Sequence, residues 1–215
     1  NVQHFFHLAA IYDMGDADET RNAQLNVGGT QNAIDLANDI KPAHFHHASS
    51  IAVAGTYDGH FTEDMFDEGQ DLPHPYHRTK FESEKLVRER VKAPWRIYRP
   101  AIVVGDSRTG EMDKIDGPYY FFKLIRRIRN AVPQWVPMVG VEGRDINLVP
   151  VDFVAKAMDH IAHEEGLDGR AFHLTDPNPK SAGEVIDIFA QAAHAPQSSA
   201  RVPAAAVDGL TPMLK

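Results

Sequence analysis

Short apolar runs alternate along the chain with stretches whose apolar residues recur at helical spacing. His4-Phe5-Phe6-His7-Leu8-Ala9-Ala10 reads as a buried strand over 4–10. Residues 20–40 read as a helix, because Val27, Thr30, Ile34 and Ala37 recur every three or four positions and Pro42 closes the run. Phe45 to Ser50 is the next strand, Gly55 to Pro75 a polar, partly acidic loop, and Tyr76 to Arg90 a helix. Pro94 ends the link to a strand at Trp95 to Ala101. This order of strand, helix, strand, helix, strand predicts an α/β fold with a parallel sheet and right-handed crossovers. Beyond Gly105 the pattern is less regular. It predicts helices over 119–129 and 151–165, a short strand over 171–175, and a helix opened by a Ser181/Glu184 capping box. From Pro196 the chain is rich in Ala, Pro and Ser and reads as loosely packed. No internal repeat or low-complexity segment is present.

Composition narrows the function classes. The 215 residues are 43% hydrophobic and 24% charged, with a formal net charge of −8. Such an acidic chain does not hold nucleic acid through its general field. No window approaches the run of about 18 apolar residues that a spanning helix needs, so no membrane span is expected. The sequence has no cysteine. That excludes a disulfide framework, a cysteine zinc site, thiolate-held iron–sulfur clusters and an acyl-enzyme on cysteine. It also fits a reducing compartment, and a cytoplasmic location is the expectation. Oligomeric state is not legible.

Three groups of residues invite chemistry. In Tyr76-His77-Arg78-Thr79-Lys80, the tyrosine and lysine are four apart and share a helix face. A phenol with a pKa of about 10 is a poor base at neutral pH, and a neighbouring ammonium favours its ionised form. Still protonated, the phenol can give its proton to a carbonyl under reduction. Ser49-Ser50 stands at a strand exit, where parallel sheets place ligands. Asn26 lies in a helical stretch beside Gly28-Gly29, residues that weaken a helix. A bend there would free a backbone carbonyl to hold water near Lys80.

Other features have simpler readings. His44, His46 and His47, and separately His160 and His163, cluster without a third convergent ligand or an H-E-x-x-H motif, and read as structural or solvated. No metal site is expected. Lys123, Arg126, Arg127 and Arg129 form a basic run among Phe121, Phe122, Leu124, Ile125 and Ile128. It reads as the cationic face of a packed helix, or as a contact for an acidic carrier or coenzyme A phosphates. Tyr119-Tyr120 reads as an acyl-pocket wall or as core. Asp152 reads as a helix cap and Arg99 as a strand-end anchor.

In combination these residues resemble the extended short-chain dehydrogenase/reductase family over about residues 2–195. The resemblance rests on His7-Leu8-Ala9-Ala10, on N-x-x-G-T at Asn26 to Thr30, and on Ser49-Ser50 running into V-x-G at Val53 to Gly55. Tyr76 with Lys80, and R-P at Arg99-Pro100, complete it. A narrower likeness comes from Tyr98 to Gly110 and Asn147 to Asp152, which resemble the fatty-acyl and thioester reductase branch.

The resemblance implies a partial Rossmann-like, doubly wound parallel sheet with a small C-terminal substrate-side lobe. Residues 1–110 would be the catalytic half of an NAD(P)-binding domain. Residues 111–215 would add late Rossmann elements and part of the substrate lobe. It implies a catalytic tetrad of Asn26, Ser50, Tyr76 and Lys80. Leu8, Ala9, Ala10, Tyr76, Lys80, Arg99, Pro100 and Ala101 would contact NADP or NAD, with NADP favoured by the branch. Ile51, Ala52, Arg108 and Tyr119 would face the substrate, an acyl thioester on coenzyme A or an acyl-carrier protein. Nucleotide-sugar epimerases or dehydratases, small-carbonyl reductases and a non-enzymatic interaction domain on a degenerate reductase fold are the alternatives. The family's opening strand and T-G-x-x-G-x-x-G turn are not in these 215 residues. The expectation is therefore a missing N-terminal segment of the same protein, and a chain that alone neither binds dinucleotide tightly nor turns over.

Overall fold

The computed structural model describes residues 1–12, 19–112 and 117–203. They form two compact units, 1–103 with 149–175, and 104–148 with 176 onward. The chain thus leaves the first unit shortly before the division expected at residue 110, and 149–175, from the expected mixed region, return to it.

The first unit is built on a four-stranded sheet in the order β1-β2-β3-β8. Its strands are β1 (His4–His7), β2 (His44–Ala48), β3 (Trp95–Pro100) and β8 (Arg170–Leu174), and each neighbouring pair is parallel. Alternate side chains go to opposite faces, as the strand period of two requires. Phe45, Ile97 and Ala171 pack with Ile34 and Ala37 of α2 (Gly29–Ile40) and Val87 of α3 (Pro75–Arg90). Tyr98, Phe172 and Leu174 pack on the other face with Val154 and Met158 of α5 (Val151–His163). Helices on both faces make the sheet doubly wound, and each large apolar side chain buried this way contributes about 1.5–3 kcal/mol.

Several element ends differ from expectation. β1 stops at His7, because its partner register with β2 ends at His47, and Leu8, Ala9 and Ala10 are exposed. The predicted helix over 20–40 is interrupted. After α1 (Glu19–Asn22), Ala23–Gly28 form a π-helical turn that leads into α2. A bend is expected beside Gly28-Gly29, and what stands there is this π-helical turn. α2 ends where Lys41 adopts φ +52 before Pro42. α3 starts one residue early, with Pro75 at its first turn and the His74 ring accepting the Tyr76 amide at 3.1 Å. The loop 55–75 is pinned by Gln70, whose amide donates to the Val53 and Phe66 carbonyls at 2.7 and 2.8 Å. Gly55 turns it at φ +52, where an added Cβ would lie 2.2 Å from the Asp71 carbonyl oxygen.

The second unit centres on α4 (Phe121–Ala131), preceded by a 3-10 turn at Gly117–Tyr120. Ile125 of α4 packs with Ala190 of α6 (Ala182–Ala192) and with Ala195. α6 carries the expected capping box, with Ser181 Oγ accepting from Glu184 N at 3.2 Å and Glu184 Oε2 accepting from Ser181 N at 2.9 Å. Short strands absent from the predicted pattern are β4 (Ile102–Val104), β5 (Met138–Val141), β6 (Asp145–Ile146), β7 (Leu148–Pro150) and β9 (Lys180–Ser181). The loose packing expected from Pro196 is corrected by β10 (Ser198–Val202), which pairs with β5 in parallel. Gly140 permits this approach, since a Cβ there would meet Ser198 Oγ at 2.3 Å. Residues 204–215 lie outside the described residues, as does the side chain of Tyr120.

Candidate active site

Helix α3 presents Tyr76, Lys80, Glu84 and Arg88 at successive i,i+4 positions, which one helix face must share. This face meets the exit of β2. Lys80, 4% exposed, donates from Nζ to the Ala48 carbonyl at 2.6 Å. Ser49 is buried and donates from its hydroxyl to Glu84 Oε2 at 2.6 Å. Ser50 turns the other way. Its oxygen accepts the Ala52 amide at 3.1 Å, and its side chain acts on the Tyr76 phenol, favouring the ionised form. Ser49 is thus committed to a buried carboxylate, which leaves Ser50 as the serine beside Tyr76.

Burial holds the Tyr76 phenol above its ordinary pKa, Ser50 works against the rise, and Tyr12 adds to it. Tyr12 stands edge-on to Tyr76 with ring centroids 4.7 Å apart. The net direction is the reverse of the proton loss expected from Lys80, so the phenol keeps its proton. Burial also lowers Lys80 to about 8, with Glu84 opposing the fall. His7 and His47, which stack at 5.3 Å, are lowered chiefly by burial and next by Lys80.

Asn26, 1% exposed, sits on the π-helical turn. Its Oδ1 accepts Ile11 N at 2.8 Å, and its Nδ2 donates to Ile11 O and Thr79 Oγ1, both at 3.1 Å. Its own carbonyl does not stand free for water as expected. It accepts the hydroxyls of Thr30 at 2.7 Å and Ser83 at 3.1 Å. Asn26 is placed to clamp the chain after β1, where the exposed Leu8, Ala9 and Ala10 lie.

The remaining expected contacts divide. Arg99, with no exposed surface, is held by Glu84, the Met65 carbonyl and His173. Ala101 is buried in the apolar core beside Tyr98. Both side chains therefore turn away from the cofactor role read for them, while Pro100 is half-buried at the strand end. Ile51 and Ala52 follow Ser50 in a 3-10 turn over Ile51–Ala54, and Ile51 packs on the core. Arg108 and Tyr119 belong to the second unit. Arg108 is exposed and pairs with Asp106 at 3.3 Å, and Tyr119 accepts the Gly105 amide on its hydroxyl at 2.9 Å.

Sequence reasoning missed Glu84 and Tyr12. The spacing Y-x-x-x-K-x-x-x-E was a usable signal for the first, and nothing marked the second. A cleft of about 750 Å³, lined by His60, Glu63, Arg88, Arg170 and His173 among others, contains none of Asn26, Ser50, Tyr76 or Lys80. Among the described residues, no group of three or more His, Asp or Glu is placed to hold a metal, and no helix is long and apolar enough to cross a membrane.

Comparison with known proteins bears on the family and the fold. The family model described as male sterility protein, an NAD-binding family, matches residues 1–158. A nonribosomal peptide synthetase of Aspergillus hancockii is 28% identical over 197 residues, which is 86% of this chain and 18% of that protein. An aldehyde reductase of Aspergillus flavus is 30% identical over 165 residues, 71% of this chain and 16% of that protein. The solved terminal R domain of the myxalamid PKS-NRPS biosynthetic pathway superposes with a TM-score of 0.68 at 26% identity, covering 82% of this chain and 43% of that one. The chain spans less than a fifth of the length of the first two relatives.

Proposed function

The chain belongs to the male sterility protein family of NAD-binding domains, within the extended short-chain dehydrogenase/reductases, and from that premise we propose that it is the catalytic part of an NAD(P)H-dependent reductase acting on an acyl thioester or related carbonyl. One observation carries the reading: Tyr76, with the Ser50 side chain acting on its phenol, stands one helical turn from the buried Lys80 ammonium that the Ala48 carbonyl holds.

A phenol, a hydroxyl and an ammonium gathered at the exit of β2, with Tyr12 against Tyr76, fit the nicotinamide-ribose end of a dinucleotide. When bound, the dinucleotide supplies hydride to the substrate carbonyl carbon. Tyr76, whose proton burial retains, gives it to the carbonyl oxygen, and Ser50 orients that oxygen; with a thioester the hemithioacetal so formed breaks its C–S bond, leaving the aldehyde and the carrier's free thiol. Lys80, fixed by Ala48, holds a ribose hydroxyl. Asn26 keeps the Ile11 backbone, and with it the segment after β1, in place.

The relatives favour a carrier-bound acyl substrate, with coenzyme A as the other carrier. The exposed cations Lys123, Arg126 and Arg127 of α4 suit the acidic surface of such a carrier. The test is a panel of acyl-coenzyme A, acyl-carrier and nucleotide-sugar substrates given to the full-length gene product with NADPH or NADH. Reduction of an acyl thioester, lost by 100-fold or more (on the order of the general-acid contribution) in Tyr76→Phe, is the expected result. Turnover of nucleotide sugars alone, or full activity in Tyr76→Phe, overturns the reading. Saturable dinucleotide binding by the full-length product separates it from a non-enzymatic interaction domain.

A further inference from the structure

Glu84 is a carboxylate with no exposed surface. Its Oε1 accepts from Arg99 Nη2 at 2.7 Å and from Arg88 Nη2 and Nε at 2.8 and 3.0 Å. Its Oε2 accepts from Arg99 Nε at 3.1 Å and from the Ser49 hydroxyl at 2.6 Å. Arg99 is braced in turn by the Met65 carbonyl at 2.9 Å and His173 Nε2 at 3.2 Å.

Three consecutive residues leaving β2 are thus gripped by one face of α3. Ala48 is held by Lys80, Ser49 by Glu84, and Ser50 meets Tyr76. A buried ion pair is a weak source of net stability, because desolvation offsets its attraction. Its rigid geometry is the better reason for placing one here. We propose that Glu84, braced by Arg99, is a positioning residue for the reduction: by anchoring Ser49 it sets the Ser50 hydroxyl against Tyr76. The inference rests on the reductase reading above.

Glu84 is also the negative group nearest in effect to Lys80. The titratable side chains that face Lys80 are His7 from β1, His47 from β2, and Tyr76 and Glu84 from its own helix, and of these only Glu84 raises its pKa. An alkaline limb near pH 8 is expected from Lys80. Loss of the Glu84 charge moves that limb to lower pH.

The experiment compares Glu84→Gln, Ser49→Ala and Tyr76→Phe in the full-length gene product, by steady-state kinetics against pH. Glu84→Gln keeps the size and an acceptor for Ser49 but removes the charge. Its kcat falls about tenfold and its alkaline limb moves down. Ser49→Ala leaves the carboxylate in place. Its kcat falls roughly three- to tenfold, while dinucleotide KM and the limb stay where they were. Full kcat in Ser49→Ala, or an unmoved limb in folded Glu84→Gln, overturns the proposal. Should Glu84→Gln fail to fold by circular dichroism, Ser49→Ala decides alone. An inactive Tyr76→Phe beside wild-type-like Ser49→Ala and Glu84→Gln sinks only this inference. An active Tyr76→Phe sinks the reductase reading instead.

Discussion

The Lys80 ammonium donates to the Ala48 carbonyl at 2.6 Å, tying helix α3 to the last residue of β2. The bond is buried, and burial lowers the lysine from 10.5 to about 8. Between these values the unfolded chain binds the proton that the folded chain has released, so stability from this group rises with pH. The unfolding free energy of the wild-type chain in urea titrations should rise between pH 8 and 10 relative to Lys80→Met, by an amount on the order of 1–3 kcal/mol. Parallel pH profiles of the two proteins contradict this.

Arg99→Met leaves Glu84 buried with Arg88 but without its bidentate partner. A loss of about 3–5 kcal/mol is expected in denaturant unfolding. Replacing both residues, as Glu84→Leu with Arg99→Met, should recover much of it, because no buried charge is then left unpaired by Arg99. A double variant as unstable as the single one would show that shape rather than charge governs the site.

His47 is 1% exposed, and neither ring nitrogen has a hydrogen-bond partner. Its pKa lies well below 6.5, and burial pushes His46 down to about 3. Stability from both is complete above about pH 6.5 and declines as the pH falls below it, where only the unfolded chain gains the protons. His47→Leu should leave stability at pH 7 within about 1 kcal/mol of wild type and flatten its fall between pH 7 and 5. Thermal melts across that range are the check, and an unchanged slope removes His47 from the account.

Asn26→Ala removes both bonds to the Ile11 backbone. Hydrogen exchange at the Ile11 amide should accelerate, with a global cost of about 1–3 kcal/mol for the unpaired buried groups. Unaltered protection of Ile11 would show that other contacts hold the segment after β1.

The 215 residues contain no Gly-rich phosphate turn of the G-x-G-x-x-G type. Backbone amides of such a turn and the helix behind it hold a pyrophosphate. Isothermal titration of this chain by itself with NADH and NADPH should therefore give no micromolar one-site binding. Such binding would mean that the phosphates are held by another part of the chain.

Element order was legible because strand and helix periods differ and each parallel strand needs a crossover. Ile34 and Ala37, whose spacing marks the helix, pack in the core against Phe45, Ile97 and Val87. Tyr76 and Lys80 share a helix face because their spacing leaves no alternative. Boundaries were less legible. β1 ends at His7 because pairing with β2 ends there, a fact about the partner strand. β10 forms in an Ala/Pro/Ser-rich stretch because Gly140 on β5 makes room for Ser198.

Local spacing in the sequence determined that a phenol and an ammonium stand together on α3, with serines at the exit of the preceding strand. Tertiary structure alone decided what each then does. It gave Ser49 to Glu84 and Ser50 to Tyr76, turned Arg99 inward, and closed the Asn26 carbonyl with two hydroxyls. The physical reason is burial. A polar group shut away from water must take whatever partner the packing supplies, and those partners come from 35 residues away for Ser49 and 57 for Asn26.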